Sequence, residues 1–436
     1  MSVTQKPLGE ITWNDILKLC ADQETEGPEL EFKRDLPAKA GRRDPWLDNC
    51  QSIGEYARNE IAKEVVAFAN TYGGTVLVGI EETKDKPNRA SRPAPLPQAH
   101  ELARRLRQAI YDVIDPPLPV LEATGVEADS GKNGVIVIRV SVSRRRPHRL
   151  TPNKEIYTRR ADESAVMDMR QVQELTIHAL AEARRIEDDI EKSRATFREA
   201  AQEWMGSEQV TESTNHTVTL MSAPKPGCAF KLFAVPTAPI DLGRVAGRSD
   251  IYPIFGAIKV AVQGQSYDAE WPFSPTDWRP TLRAIFAESS FSEYKHRYVL
   301  RTDGSCELSL FQRRSNDQKG FFVEWLVAAV AGMLFWIERI RRAGGVFGLE
   351  YALAVEFNII KVPAVLCVYG ARQFSGFRNV QLPSGEISFP LISVGGEEEF
   401  ETLLERFDED IWNYAGKHFP GSAPTFDVKQ LRAQIR

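Results

Sequence analysis

The chain has 436 residues, 42% hydrophobic and 26% charged, with a formal net charge of −5. That is globular composition, long enough for two or three domains that each bury a core. Residues 1–180 hold 26 Lys/Arg against 27 Asp/Glu, so the charge is spread evenly. A histone-like chain and an acidic-tail protein are both excluded, and any nucleic-acid contact must come from local clusters.

The five cysteines (Cys20, Cys50, Cys228, Cys306 and Cys367) are scattered and form no CxxC. This argues against a disulfide framework or a zinc ribbon and fits thiols in a reducing cytoplasm. The first residues, MSVTQKPLGEITW, show no basic region followed by an apolar run, so no secretory signal is expected.

In chain order, residues 9–20 predict a short amphipathic helix, and Gly27-Pro28 a turn. Residues 29–33 alternate polar and apolar, which predicts a strand with Glu31 and Lys33 on one face. Residues 35–58 are polar, with Pro37, Gly41, Pro45 and Gly54, and read as a long loop or insertion. Residues 60–70 place Ile61, Val65, Phe68 and Ala69 on one helical face, with Asn70 and Gly73-Gly74 as stop signals. Thr75 to Ile80 predicts a buried strand, and Glu81-Glu82 lie just past its end. A Pro-rich loop follows at 87–97, then a helix with a basic face at 98–114. Further strands are expected at 135–142 and 156–160, and a charged helix from about residue 168 to 206. Strands and helices alternate over residues 29–180, so this is an α/β (α+β) domain.

Residues 215–436 start afresh with strands and form a second, mixed α/β domain. Its run FFVEWLVAAVAGMLFWI (residues 321–337) contains Glu324 and is followed by Glu338-Arg339. The uninterrupted apolar part falls short of the roughly 20 residues a spanning helix needs. It reads as a buried helix, with no membrane partner. The expected division is residues 1–185, a linker helix at 186–210 and residues 211–436.

Three acids stand out by place. Glu26 precedes the Gly-Pro turn, Glu31 lies on the strand after it, and Glu82 follows the strand TVLVGI. Ends of strands in α/β sheets collect functional side chains. Carboxylates converging there are hard oxygen ligands for a divalent cation such as Mg or Mn. Lys33 shares the face of Glu31 and suits a scissile phosphate. Taken singly, each acid reads as a surface group; composition and period do not select the trio.

A resemblance selects it. The segments E-x4-E-F-K (Glu26, Glu31, Phe32, Lys33) and AFANTYGGTVLVGIEE (Ala67 to Glu82) resemble the Schlafen AlbA-type domain. The likeness continues through VIVIRVSVSRRRPHRL (Val135 to Leu150) and IYTRRADESAVM (Ile156 to Met167), covering about residues 20–180. In nuclease-active members three acids form a metal site. The resemblance implies Glu26 and Glu31 for two of them. The third is an Asp three residues after a Gly; here that Gly is Gly79 and the position holds Glu82, with Glu81 beside it. Such members resemble metal-dependent RNases that cut transfer RNA and similar folded RNAs, often in antiviral defence.

Gly73-Gly74 reads as a helix stop, since no G-x4-GK[ST] or G-x-G-x-x-G phosphate motif is present. Basic clusters supply the expected RNA-backbone contacts: Arg104, Arg105 and Arg107 on one helix, and Arg144, Arg145, Arg146, His148 and Arg149 in one loop, with Arg159 on a strand. The expectation is a metal-dependent endoribonuclease acting on transfer RNA or another structured RNA in anti-phage defence. It would be a homodimer, with residues 211–436 sensing a phage-derived trigger or setting the oligomeric state. The alternatives are a non-catalytic nucleic-acid-binding transcriptional regulator and an ATP-binding switch.

Overall fold

The structure is a computed structural model. It describes residues 3–40, 42–128, 131–206, 208–213, 216–221, 227–262, 265–291, 293–313, 321–346, 348–360, 364–367, 380–414 and 425–428, with residues 416 and 433. Two compact units emerge: Met1–Arg185 with Gly345–Glu350, and Ile186–Gly344 with Tyr351–Arg436.

The first unit is built on a four-stranded mixed sheet. Helix α1 (Trp13–Ala21) opens on a capping box in which Thr12 and Asp15 satisfy each other's backbone donors. Strand β1 (Leu30–Lys33) follows, then the short α2 (Trp46–Asn49), α3 (Glu55–Asn70) and β2 (Gly74–Val78). Strands β1 and β2 pair in parallel, with Glu31 beside Val76 and Lys33 beside Val78. A parallel pair needs a covering crossover, and α3 supplies it. Strands β3 (Ile80–Glu82) and β4 (Ala90–Pro93) form a hairpin, and α4 (Ala99–Tyr111) follows. Then come β5 (Ile114–Asp115), β6 (Glu122–Glu127), β7 (Gly134–Val140), β8 (Arg149–Leu150), β9 (Tyr157–Arg160) and β10 (Glu163–Val166). The main sheet runs β1-β2-β7-β6.

Each face of that sheet buries its own core, as the two-residue period of a strand requires. Val76, Val78, Ile136 and Ile138 meet Ile61, Val65 and Phe68 of α3 and Leu102 and Leu106 of α4. Leu30, Phe32, Leu77, Val135 and Val137 meet Ile16 and Leu19 of α1 on the other side. This parity puts Phe32 into the α1 core and leaves Glu31 and Lys33 on the α3 side.

Several elements differ from the sequence reading. The 35–58 stretch is not a bare insertion: Trp46 is fully buried in the α3–α4 core, and its indole donates to the Pro97 carbonyl at 2.9 Å. Asp44 accepts from the Trp46 and Gly54 amides, folding the stretch back on itself. Part of the 87–97 loop is strand β4, and strand β6 had no sequence signal because its polar residues lie along a half-exposed edge. The strand expected at 75–80 breaks at Gly79, whose φ of +107° only glycine adopts without strain.

In the second unit the strands are β11 (Glu208–Ser213), β12 (His216–Met221), β13 (Gly227–Pro236), β14 (Ile258–Val262), β15 (Gln265–Ala269), β16 (Trp278–Thr281), β17 (Ala284–Ser290), β18 (Tyr294–Arg301), β19 (Cys306–Arg313), β20 (Phe321–Phe322), β21 (Tyr351–Ile360), β22 (Ala364–Cys367), β23 (Val380–Leu382), β24 (Gly385–Ser388), β25 (Ile392–Val394) and β26 (Thr425–Asp427). The large sheet runs β16-β17-β18-β19-β13-β21-β24 and is antiparallel, with β25 also on β21. Helix α5 (Met169–Met205) begins in the first unit and ends in the second. The linker helix expected at 186–210 falls on the later part of α5, up to Met205. Ile186 and Ile190 pack on Phe233, Val235, Ala352 and Ala354, and Phe197 and Ala201 on Ala229 and Phe311.

Helix α6 (Val323–Gly344) carries the apolar run; residues 326–338, apart from Gly332, are counted among the buried side chains. Its Met333 sulfur meets Cys306 on the face of β19 opposite α5. Helix α7 (Phe400–Tyr414) follows the acidic turn at Glu397–Glu399, where negative charge suits a helix start. Among the described residues no helix is long and apolar enough to cross a membrane.

Trp46→Ala should lower the unfolding free energy of the first unit by about 3–5 kcal/mol, the usual cost of emptying a buried aromatic site. Urea unfolding followed by fluorescence measures it. A loss under about 1 kcal/mol would mean that the 35–58 stretch is peripheral after all.

Candidate active site

The acids are assembled by the local geometry around β1. The Gly27 amide donates to the Leu30 carbonyl, closing the turn after Glu26. That turn folds Glu26 back onto β1, where Oε1 accepts from the Phe32 amide at 2.9 Å. On the other side of the turn the Gly79 amide donates to the Lys33 carbonyl, so β3 starts beside the end of β1. Glu82 is thereby brought level with Glu26, and the Asn88 side-chain amide donates to both, each at 2.9 Å.

Glu31 sits on the α3 side of β1, buried between cations. Lys33 Nζ donates to its Oε1, and Arg159 Nη2 lies 2.5 Å from its Oε2. Arg159 also donates through Nη1 to Glu64 Oε2 at 3.0 Å, and Lys33 lies 3.8 Å from Glu64 Oε1. Ser164 on β10 donates its hydroxyl to Glu64 as well. The Arg159 side chain is fully buried, with its guanidinium 5.0 Å from the centre of the Phe68 ring and within 3.2–3.4 Å of the Gly27 and Leu30 carbonyls.

The charge arrangement shifts the titrations. Burial, with the Glu26 carboxylate close by, pushes Glu82 up to about 7. Burial and then Glu64 raise Glu31 despite Lys33 and Arg159. Burial alone would lower the Lys33 ammonium, but Glu31 and Glu64 outweigh it and raise it. Glu81 does not join the group. It is tied to Arg92 and to Arg34, which hold it below its ordinary range.

The sequence reading placed Glu26, Glu31, Lys33 and Glu82 together, and the structure gathers them. It adds Glu64, Asn88 and Ser164, which that reading missed. Glu64 left a signal: it lies between Ile61 and Phe68 on the apolar face of α3, where a charge needs partners. Asn88 and Ser164 left none, because only folding brings their loops to the acids. Arg159, expected to touch RNA, is instead the buried counter-charge of Glu31 and Glu64.

The other expected RNA contacts lie elsewhere. Arg104 and Arg105 both pair with Glu101, and Arg107 donates to the Leu121 carbonyl. In the 144–149 loop, Arg144 pairs with the fully buried Glu350 and Arg146 with Glu182. His148 is fully buried; its Nδ1 meets the Pro116 carbonyl at 2.7 Å, and burial pushes its pKa down to about 4. It is a neutral structural imidazole, not a phosphate contact. Arg149 pairs with Asp115 at a half-exposed position, and Arg145 is exposed. Solvent-facing positive charge in this loop is thus reduced to Arg145 and Arg149.

The loop is fixed from below by Asn70. Its side-chain amide donates to the His148 and Tyr157 carbonyls, and its Oδ1 accepts from the His148 amide. Gly73, at φ +76°, turns the chain out of α3 with its amide on the Phe68 carbonyl, as a helix stop does. The AFANTYGG segment therefore ties α3 to β2 and β9.

The donor set (Glu26, Glu31, Glu64 and Glu82 against Lys33 and Arg159) is oxygen-rich and carries a negative excess. Both traits fit a hard divalent cation. The oxygens are held here by protein donors, and among the described residues no three His, Cys, Asp or Glu side chains are disposed to share an ion.

Residues 26–168, about a third of the chain, match the family described as Schlafen, AlbA_2. No curated protein matches the chain. A solved structure, the N-terminal domain of an ATP-dependent DNA helicase RecG-related protein from Nitrosomonas europaea, is 20% identical. The match covers 30% of this chain and 74% of that one, with a TM-score of 0.21.

The raised pKa of Glu82 has a signed consequence in chelator-treated buffer. Its folded value of about 7 lies above the ordinary 4.5, so its contribution to stability is fully present below about pH 4.5 and is lost as pH rises through 7. Glu82→Gln should flatten that part of the stability–pH curve and be the more stable protein at pH 8. Parallel curves for the two proteins between pH 4.5 and 8 would show that Glu82 titrates normally. Arg159→Met should cost about 3–5 kcal/mol in urea unfolding at pH 7, because it removes the buried cation that two buried carboxylates share.

Proposed function

We propose that the Schlafen AlbA_2 domain this chain carries at residues 26–168 is a metal-dependent endoribonuclease acting on transfer RNA or another structured RNA. The Schlafen family includes nucleases, and its AlbA_2 domain points to nucleic acid as the partner. The observation that supports catalysis over binding alone is the buried acid group itself. A protein that only gripped a polyanion would gain nothing from burying Glu26, Glu31 and Glu64 beside a half-buried Glu82. Such a cluster costs stability, and costly clusters of titratable groups gather where chemistry needs them.

Glu26, Glu31 and Glu82 would hold a Mg or Mn ion once turned away from the protein donors that occupy them here. When bound, such an ion lowers the pKa of a water and neutralises charge developing on a phosphodiester. The remaining roles belong to the chain. Asn88 aligns the Glu26 and Glu82 carboxylates by donating to both. Arg159 stays buried and pairs with Glu31 and Glu64 side by side. Lys33, an ammonium on a flexible stem and a quarter exposed, is placed to leave Glu31 for a phosphate oxygen. Arg145 and Arg149 are the loop cations available to an RNA backbone, which A-form RNA presents by shape. Anti-phage defence, a homodimer that pairs two such domains around a groove, and a trigger-sensing role for residues 211–436 complete the proposal.

The reading is tested by incubating the full chain with transfer RNA and Mn or Mg, beside Glu31→Ala, Glu82→Ala and Lys33→Ala. Wild type should cut, the two acid variants should lose on the order of 100-fold or more, and Lys33→Ala should lose less. Cleavage that survives both acid substitutions would remove the site. Salt-sensitive RNA binding without cleavage would favour the non-catalytic regulator.

A further inference from the structure

The second unit holds a cleft of about 430 Å3 between the later part of α5 and strands β13, β17, β18 and β19. A sheet face under a helix is normally apolar. Here it is apolar only at the two places where α5 packs, through Ile186 and Ile190 and through Phe197 and Ala201. Between them a polar row crosses four strands in register: Lys231 opposite Ser309, Ser309 opposite Arg297, and Arg297 opposite Glu288.

Lys231 and Glu307 are buried on this floor, 2.6 Å apart, and Lys231 also donates to the Ser193 carbonyl of α5 at 3.2 Å. Arg301 pairs with the other Glu307 oxygen through Nη2. Its Nη1 is buried without a hydrogen-bond partner, and so is the Ser193 hydroxyl. Arg297 is exposed above the floor, stacked 5.3 Å from the Phe286 ring, and makes no ion pair among the described residues. Buried donors without partners cost free energy that only a ligand or solvent recovers. The wall beside them is apolar, from Leu282, Ala284 and Val299.

We propose that this cleft is a binding site for a small organic phosphate. Arg297 and Arg301 take the phosphate, with Ser193 as a further donor, and the organic part lies against Leu282, Ala284 and Val299. The guanidinium fork matches phosphate oxygens in pairs, and the Lys231–Glu307 ion pair fixes Arg301 from beneath. The cleft is within the size range of small-molecule sites. Nothing in this inference depends on the nuclease reading of residues 26–168.

Calorimetric titration of the full chain with adenosine 5′-monophosphate, ribose 5-phosphate and inorganic phosphate tests it. At least one organic phosphate should bind saturably and more tightly than inorganic phosphate. Arg297→Ala, at an exposed position, should weaken it by about tenfold or more, equal to about 1.4 kcal/mol. Glu82→Gln, in the other unit, should leave it unchanged. No saturable binding of any probe at millimolar concentration would overturn the proposal, as would binding that Arg297→Ala does not touch. Equal affinity for all three probes would overturn the role of the apolar wall.

Discussion

Carboxylates buried side by side repel one another, and a domain that gathers Glu26, Glu31 and Glu64 around one strand must hold them there with cations. Arg159 is the group that does so. Its guanidinium reaches Glu31 and Glu64 at once and anchors on the Gly27 and Leu30 carbonyls of the turn that carries Glu26. A planar fork with donors on every edge makes these contacts together; a lysine ammonium could not. The sheet depends on the same contact, because β1 is an edge strand and Arg159 ties it to α3 and to the β9–β10 hairpin.

The arrangement explains why the site is poised. Two cations do not balance four acids, so the last of them, Glu82, is pushed up to about 7 by burial and by Glu26. Its charge state changes near neutral pH, where general acid–base groups work best. Lys33 is the movable member. It closes the Glu31 carboxylate in this structure, and its stem is partly exposed.

Much of the first unit was legible in sequence because its signals are local. The alternation at Leu30–Lys33 gave both the strand and the shared face of Glu31 and Lys33, and the 3.6-residue period gave α3, α4 and α5. What the sequence hid is long-range. Arg159 lies 95 residues from the Glu64 it pairs with, so a basic residue at a strand end read as a surface contact. The 144–149 loop looked like a dense basic patch, but Glu350 and Glu182 take up two of its arginines and burial takes His148. Trp46 looked like part of a polar insertion because one buried aromatic among prolines and charges carries no period. In the second unit the sequence showed strands at its start, while the charged row across β13, β19, β18 and β17 exists only in register.

The central claim is that the Glu26–Glu31–Glu82 group is a cation site despite the protein donors that hold it. Titrating the metal-free chain with Mn2+ and counting free Mn2+ by electron paramagnetic resonance tests this most directly. A bound ion is expected, with an affinity that rises with pH through about 7 and is lost in Glu31→Gln. Absence of binding at millimolar Mn2+, or binding that Glu31→Gln leaves intact, would contradict it.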